Sequence, residues 1–125
     1  VLHLANVMHL ATDVTGALIE SKKSVDAFTL LEKLHPSAAV CGTPTEIASK
    51  LIRDIEGMPR GRYAGPVGWL DASGDGELGI ALRCGQITEN ELRIFAGCGI
   101  VAGSNPEKEL SESNAKFAPM RSALS

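Results

Sequence analysis

The chain has no long run of lysine or arginine, no cysteine framework and no apolar stretch of membrane length. At a formal charge of −3, the missing basic run argues against a nucleic-acid binder, because phosphate contacts need clustered cations. A small anionic substrate stays open, since a few local groups suffice to hold it. The longest apolar runs fall short of the ~20 residues of a membrane span, and no basic leader precedes an apolar stretch at the start. Cys41, Cys84 and Cys98 are odd in number and widely spaced, which fits neither a disulfide framework nor a zinc knuckle. They read as reduced packing cysteines of a cytosolic protein. There is no internal repeat and no low-complexity tract. With 125 residues and 44% hydrophobic content the chain suits one core and not two ordinary domains. It opens at Val1 in strand-like text without a methionine, which predicts a piece of a longer protein.

What is present is periodic. Residues 7–19, rich in apolar and β-branched types and interrupted by Gly16, predict a strand pair or a bent strand. Ser24 offers an N-cap to a helix carrying Val25, Phe28, Leu31 and Leu34, ended by His35-Pro36. Thr43-Pro44-Thr45-Glu46 reads as a capping box opening a second helix. Its stripe is Ile47, Ala48, Leu51, Ile52 and Ile55, and Gly57 stops it. From Tyr63 the period becomes two, predicting strands at residues 67–71, 78–84 and 92–96, joined by loops at 73–76 and 88–90. In the middle strand Leu78, Ile80, Leu82 and Cys84 would share one face. Gly79, Ala81 and Arg83 would share the other, leaving room beside a cation. In the third strand Arg93, Phe95 and Gly97 alternate with Leu92, Ile94 and Ala96. Ser104 or Asn105 caps a final helix whose core stripe would be Leu110, Phe117, Met120 and Leu124. The resulting fold class is α+β, with hairpin strands followed by a helix packed on their face.

Chemistry concentrates at residues 97–116. Glycines at 97, 99 and 103 allow close backbone approach, and a capped helix start follows with free amides for an anion. Glu109, Glu112 and Lys116 fall within roughly 60° of one another on that helix, offering oxygen donors to a hard cation. Singly, each residue has an ordinary reading. Glu112 and Lys116 suit a surface ion pair, although a second carboxylate at Glu109 calls for a further positive partner. Arg83 suits a solvated strand position, Tyr63 a core or interface ring, and His35 a loop before proline.

Taken together, the segments Leu34-His35-Pro36-Ser37-Ala38-Ala39-Val40-Cys41-Gly42-Thr43-Pro44, Tyr63-Ala64-Gly65-Pro66-Val67-Gly68-Trp69, Ala81-Leu82-Arg83 and the glycine–helix segment resemble the chorismate-utilising enzymes. Within these, the wording is similar to that of the isochorismate synthases. His9-Leu10-Ala11-Thr12-Asp13-Val14-Thr15-Gly16 fits as well, so the resemblance runs along essentially the whole chain. It implies part of a two-sheet antiparallel sandwich flanked by helices, with the ligand between the layers. It implies Mg²⁺ as cofactor, with Glu112 as one of its two glutamates and Glu109 as a supporting acid. Lys116 would lie on the substrate side, Arg83 and Tyr63 would hold the enolpyruvyl carboxylate, Gly97 and Gly99 would give the backbone approach, and Ala39 and His35 would form the wall near the ring.

The implied reaction is water addition at C2 of chorismate with loss of the C4 hydroxyl, feeding siderophore or menaquinone synthesis. The family's base lysine, acid glutamate and first metal glutamate have no counterpart here. Lys22, Lys23, Lys33 and Lys50 match none of those motifs. Residues 1–125 are therefore expected to be the C-terminal segment of a chorismate-binding domain, an incomplete one, whose partner is the missing N-terminal part of the same enzyme. A salicylate synthase is one alternative, although such enzymes tend to be more acidic where this chain has Val101-Ala102-Gly103. Ammonia-using anthranilate or aminodeoxychorismate synthases are disfavoured by His35-Pro36, which they usually replace. A truncated chain that at most binds ligand is the non-enzymatic alternative.

Overall fold

The computed structural model describes residues 2–3, 8–9, 12–19 and 26–125. In chain order the elements are β1 (Leu2–His3), β2 (Met8–His9), α1 (Ala27–Leu34), α2 (Ala38–Cys41) and α3 (Thr45–Glu56). They continue with β3 (Pro66–Leu70), β4 (Gly76–Ile80), β5 (Gly85–Thr88), β6 (Glu91–Ile94), α4 (Pro106–Lys116) and α5 (Ala118–Leu124). The strands form three two-stranded antiparallel sheets, β1–β2, β3–β4 and β5–β6. Helices and antiparallel hairpins in one chain bear out the α+β class.

The β3–β4 hairpin pairs Val67 with Gly79 and Gly68 with Leu78. Its loop is set by Asp71, whose carboxylate accepts the amides of Ser73 at 2.8 Å and Asp75 at 3.0 Å, while Gly74 turns the chain at φ +89°. The expected strand over 78–84 is not continuous. β4 stops at Ile80, the Leu82 amide folds back onto the Ile80 carbonyl at 2.8 Å, and Arg83 takes a left-handed φ of +50° before β5 begins. Leu78, Ile80, Leu82 and Cys84 therefore do not share one strand face. The alternation survives in the sequence because period two does not register a bend. β6 likewise ends at Ile94 rather than residue 96, although the Phe95 amide still bonds the Cys84 carbonyl at 2.8 Å.

The helix ends follow capping chemistry, with corrections. Asp26 caps α1, its carboxylate accepting from the Thr29 amide at 2.7 Å; the expected cap Ser24, with Val25, lies outside the described residues. That hydrogen bond lowers the Asp26 pKa. The His35 amide closes the helix on the Leu31 carbonyl, as expected of a residue before proline. The capping box at Thr43 does not form. Gly42 closes the short α2 onto the Ala38 carbonyl, Thr43 falls in the linker, and Pro44 stands at the N-cap of α3 with no side-chain cap. Gly57 ends α3 in the left-handed conformation at φ +61°, as the sequence indicates. Asn105, not Ser104, caps α4 by accepting the Lys108 amide at 3.0 Å. The last helix breaks at Phe117, so its expected stripe is split: Phe117 and Met120 are half-buried, while Leu110 and Leu124 are 64% and 59% exposed. Residues 12–19 carry no strand, and the rest of the strand pair expected there lies outside the described residues apart from Met8–His9.

Burial is sparse. Cys41, Ala64 and Phe95 are the buried apolar residues among those described. The chain exposes 10555 Å², where a folded monomer of its mass exposes roughly 6,400 Å². Trp69, Ile55 and Ile87 are 57%, 73% and 77% exposed. All three cysteines are free thiols, and no described helix is long and apolar enough to cross a membrane.

Two outcomes follow for the chain's behaviour. Residues 1–125 alone should lack a sharp two-state melt and should not elute as a monomer, because sheet edges and apolar faces stay uncovered. A cooperative transition with a monomeric elution volume would contradict this. A Cβ at Gly68 would lie 1.9 Å from the Glu77 carbonyl oxygen, whereas one at Gly16 would meet nothing within 4 Å. In the parent protein Gly68→Ala should therefore cost about 2 kcal/mol in a urea titration, and an unchanged midpoint would contradict the close approach.

Candidate functional site

The site grows from a turn at residues 60–65. The Tyr63 amide donates to the Arg60 carbonyl at 3.0 Å and the Gly65 amide to that of Arg62 at 3.0 Å. Ala64 is buried at φ +63°, a strained conformation for a residue with a Cβ. It is held there by its amide on the Ala81 carbonyl at 2.9 Å and by the Ala81 amide on the Gly65 carbonyl at 2.8 Å. The turn thus points Tyr63 at the segment following β6. Its ring stacks on Phe95 with centroids 5.1 Å apart and planes 15° apart.

Two residues on, Gly97 runs against the Tyr63 hydroxyl so closely that a Cβ there would sit 2.9 Å from the phenol oxygen. The Gly97 carbonyl accepts a hydrogen bond from the Lys116 Nζ at 3.0 Å, and the same ammonium meets Glu112 Oε1 at 2.6 Å. Cys98 adds a second tie to α4, its Sγ donating to the Glu109 carbonyl at 3.4 Å. Gly103, at φ +88°, and the reciprocal bonds between Val101 and Ser104 then turn the chain into the Asn105 cap.

Tyr63, Gly97, Lys116 and Glu112 therefore form one continuous strip, with Glu109 beside it through its backbone. The other expected residues are not joined to it by a contact. Gly99 has open space around it. Arg83 stands exposed at the bend between β4 and β5, and its guanidinium takes no hydrogen bond or ion pair among the described residues. His35 lines a cavity of about 380 Å³ between α1 and the β3–β4 hairpin, and Ala39 is exposed on α2. Sequence reasoning passed over Phe95 and Arg60. The signal for Arg60 was Glu56 four residues before it, the favourable order for an ion pair.

Charge within the strip has clear causes. The Lys116 ammonium lowers the Glu112 pKa, first through the hydrogen bond and then through its charge. Burial raises the Tyr63 phenol, opposed by the nearby Arg60 charge. Loss of water raises the Cys98 thiol, which disfavours a reactive thiolate there. The carboxylates of Glu112 and Glu109 are the oxygen donors a hard cation takes. Among the described residues no three His, Cys, Asp or Glu side chains converge as a metal site, so the donor type fits while the donor number falls short.

A family model described as chorismate binding enzyme matches residues 1–125. The chain is 48% identical over 116 residues to isochorismate synthase DhbC of Bacillus subtilis, covering 93% of this chain and 29% of that protein. Against isochorismate synthase MenF of the same organism it is 47% identical over 119 residues, covering 95% and 25%. The crystal structure of DhbC from Bacillus anthracis superposes with a TM-score of 0.75 at 47% identity, over 79% of this chain and 26% of that one. The chain thus spans between a quarter and a third of the length of these relatives.

The Glu112–Lys116 pair gives a pH test. A depressed carboxylate value contributes stability above its unfolded value and loses it as pH falls through the folded one. Lys116→Met should return the Glu112 carboxyl to the range of an exposed glutamate, read by ¹³C-carboxyl titration with Glu112→Gln assigning the resonance. An unchanged midpoint would remove the lysine as the cause.

Proposed function

The chain belongs to the chorismate-binding enzymes, and from that premise we propose that it is the C-terminal segment of a cytoplasmic isochorismate synthase. The observation that carries this reading is the strip itself: a glycine backbone, an ionised glutamate and a lysine, with a tyrosine hydroxyl at the glycine. Such a strip suits a substrate carrying two carboxylates, one to be met by cations and one by hydrogen-bond donors.

Glu112 would supply one ligand of Mg²⁺ with Glu109 in support, and the remaining ligands would come from the rest of the parent. When bound, the cation neutralises the ring carboxylate and orients the substrate. Lys116 adds positive charge on the substrate side. Tyr63 and Arg83 would receive the enolpyruvyl carboxylate, the arginine by its planar fork. Gly97 and Gly99 let the ligand reach the backbone, and Ala39 and His35 wall the ring. Arg83, Gly99, His35 and Ala39 join the strip only in the completed domain, which fits a segment that is a third or less of its relatives.

Water adds at C2, the C4 hydroxyl leaves as water and the ring double bonds shift, so the net change is an isomerisation. A base takes the proton of the attacking water and an acid delivers one to the leaving hydroxyl. Both groups, a lysine and a glutamate, would lie in the upstream part of the parent.

The parent protein, given chorismate and Mg²⁺ and coupled to an isochorismate lyase, should form isochorismate; a folded parent that forms none sinks the proposal. Pyruvate released without added lyase would identify a salicylate synthase instead. Glu112→Gln should abolish the Mg²⁺-dependent turnover, and full activity would take Glu112 out of the metal site. Residues 1–125 by themselves should show no turnover.

A further inference from the structure

The Tyr63 ring is held by a group that the strip does not include. Arg60 lies with its guanidinium carbon 5.5 Å from the Tyr63 ring centroid, within cation–π range. Its Nε and Nη2 donate to the two carboxylate oxygens of Glu56 at 2.8 and 2.5 Å, a two-point fork between side chains 26% and 29% exposed. Glu56 is the last residue of α3, so the guanidinium plane is set from a helix end. The Arg60 carbonyl accepts the Tyr63 amide as well. Backbone and side chain of one residue therefore both bear on Tyr63, while Phe95 stacks on the ring and the missing side chain of Gly97 leaves room for the hydroxyl.

An isolated Glu–Arg pair four residues apart is ordinarily a surface contact of little consequence. Here the fork ends on an aromatic ring whose hydroxyl sits on the strip. We propose that Arg60, fixed by Glu56, is a positioning residue that sets the Tyr63 hydroxyl beside Gly97 for carboxylate recognition. The inference rests on the reading of Tyr63 as a substrate contact. Arg60 acts through the ring and does not reach the substrate.

The test uses the parent protein. Arg60→Lys keeps the charge and loses the fork and the planar face. It should raise the KM for chorismate about fivefold, more than it lowers kcat, and Glu56→Gln should move KM the same way by less. In a Tyr63→Phe background, where the ring remains and the hydroxyl is gone, Arg60→Lys should add less than about twofold. A KM effect that persists undiminished in that background overturns the proposal in favour of a structural role. A second readout needs no turnover. With 3-fluorotyrosine incorporated, the ¹⁹F resonance absent from Tyr63→Phe should move toward the free amino acid in Arg60→Met at an unchanged Tm; an unmoved resonance overturns the proposal. A parent that does not turn over chorismate would remove the isochorismate synthase reading, and the ¹⁹F result would still decide whether Arg60 holds Tyr63.

Discussion

The bond from the Lys116 ammonium to the Gly97 carbonyl joins two parts of the chain that are 19 residues apart. Between β6 and α4 the backbone has no regular structure, so its polar groups must find partners one at a time. Lys116 satisfies one carbonyl, Cys98 adds a tie through its thiol, and Asn105 starts the helix that carries both anchors. The Lys116 side chain is 26% exposed and that of Glu112 57%. Screening therefore weakens the carboxylate contact more than the carbonyl contact. The carbonyl bond shapes the segment, and the glutamate pair mainly sets charge.

That division of labour leaves the glutamate usable. Lys116 meets Oε1 of Glu112, and no partner takes the other oxygen among the described residues. The lysine keeps the carboxylate ionised by lowering its pKa, without occupying its whole donor capacity. A carboxylate that is charged, half-engaged and exposed suits a cation supplied with further ligands from elsewhere. Tyr63 is arranged oppositely. Burial raises its phenol further above the ordinary range, which favours the neutral, hydrogen-bond-donating form.

Local chemistry was the legible part of the sequence. The glycine stop at Gly57 and the Asn105-Pro106 start depend only on neighbours, and both stand. Glu112 and Lys116 were four apart on one helix, so their pairing needed no tertiary information. What failed depended on competition between neighbouring elements. Thr43 had the composition of a cap, but α2 ends at Gly42 and draws it into a linker. The 78–84 alternation was real, yet hydrogen bonds from Ala81 to the Ala64–Gly65 turn arrest the strand, and the backbone turns at Arg83. Phe95 was visible as an alternating residue, but its partner lies 32 positions earlier, and stacking leaves no mark in periodicity.

The uncovered surface carries its own pattern. Ile47, Leu51 and Ile55 recur every fourth residue along one face of α3, and Val67 and Trp69 alternate on one face of β3. Scattered exposed apolar side chains need no explanation, because every protein surface has them. Exposure that recurs at helical and strand periods is different, since such periods are the mark of a face that packs against a second layer. Relatives three to four times longer supply chain enough to make such a layer. A layer lying over the strip would also remove the water that now weakens the pairing of Glu112 with Lys116.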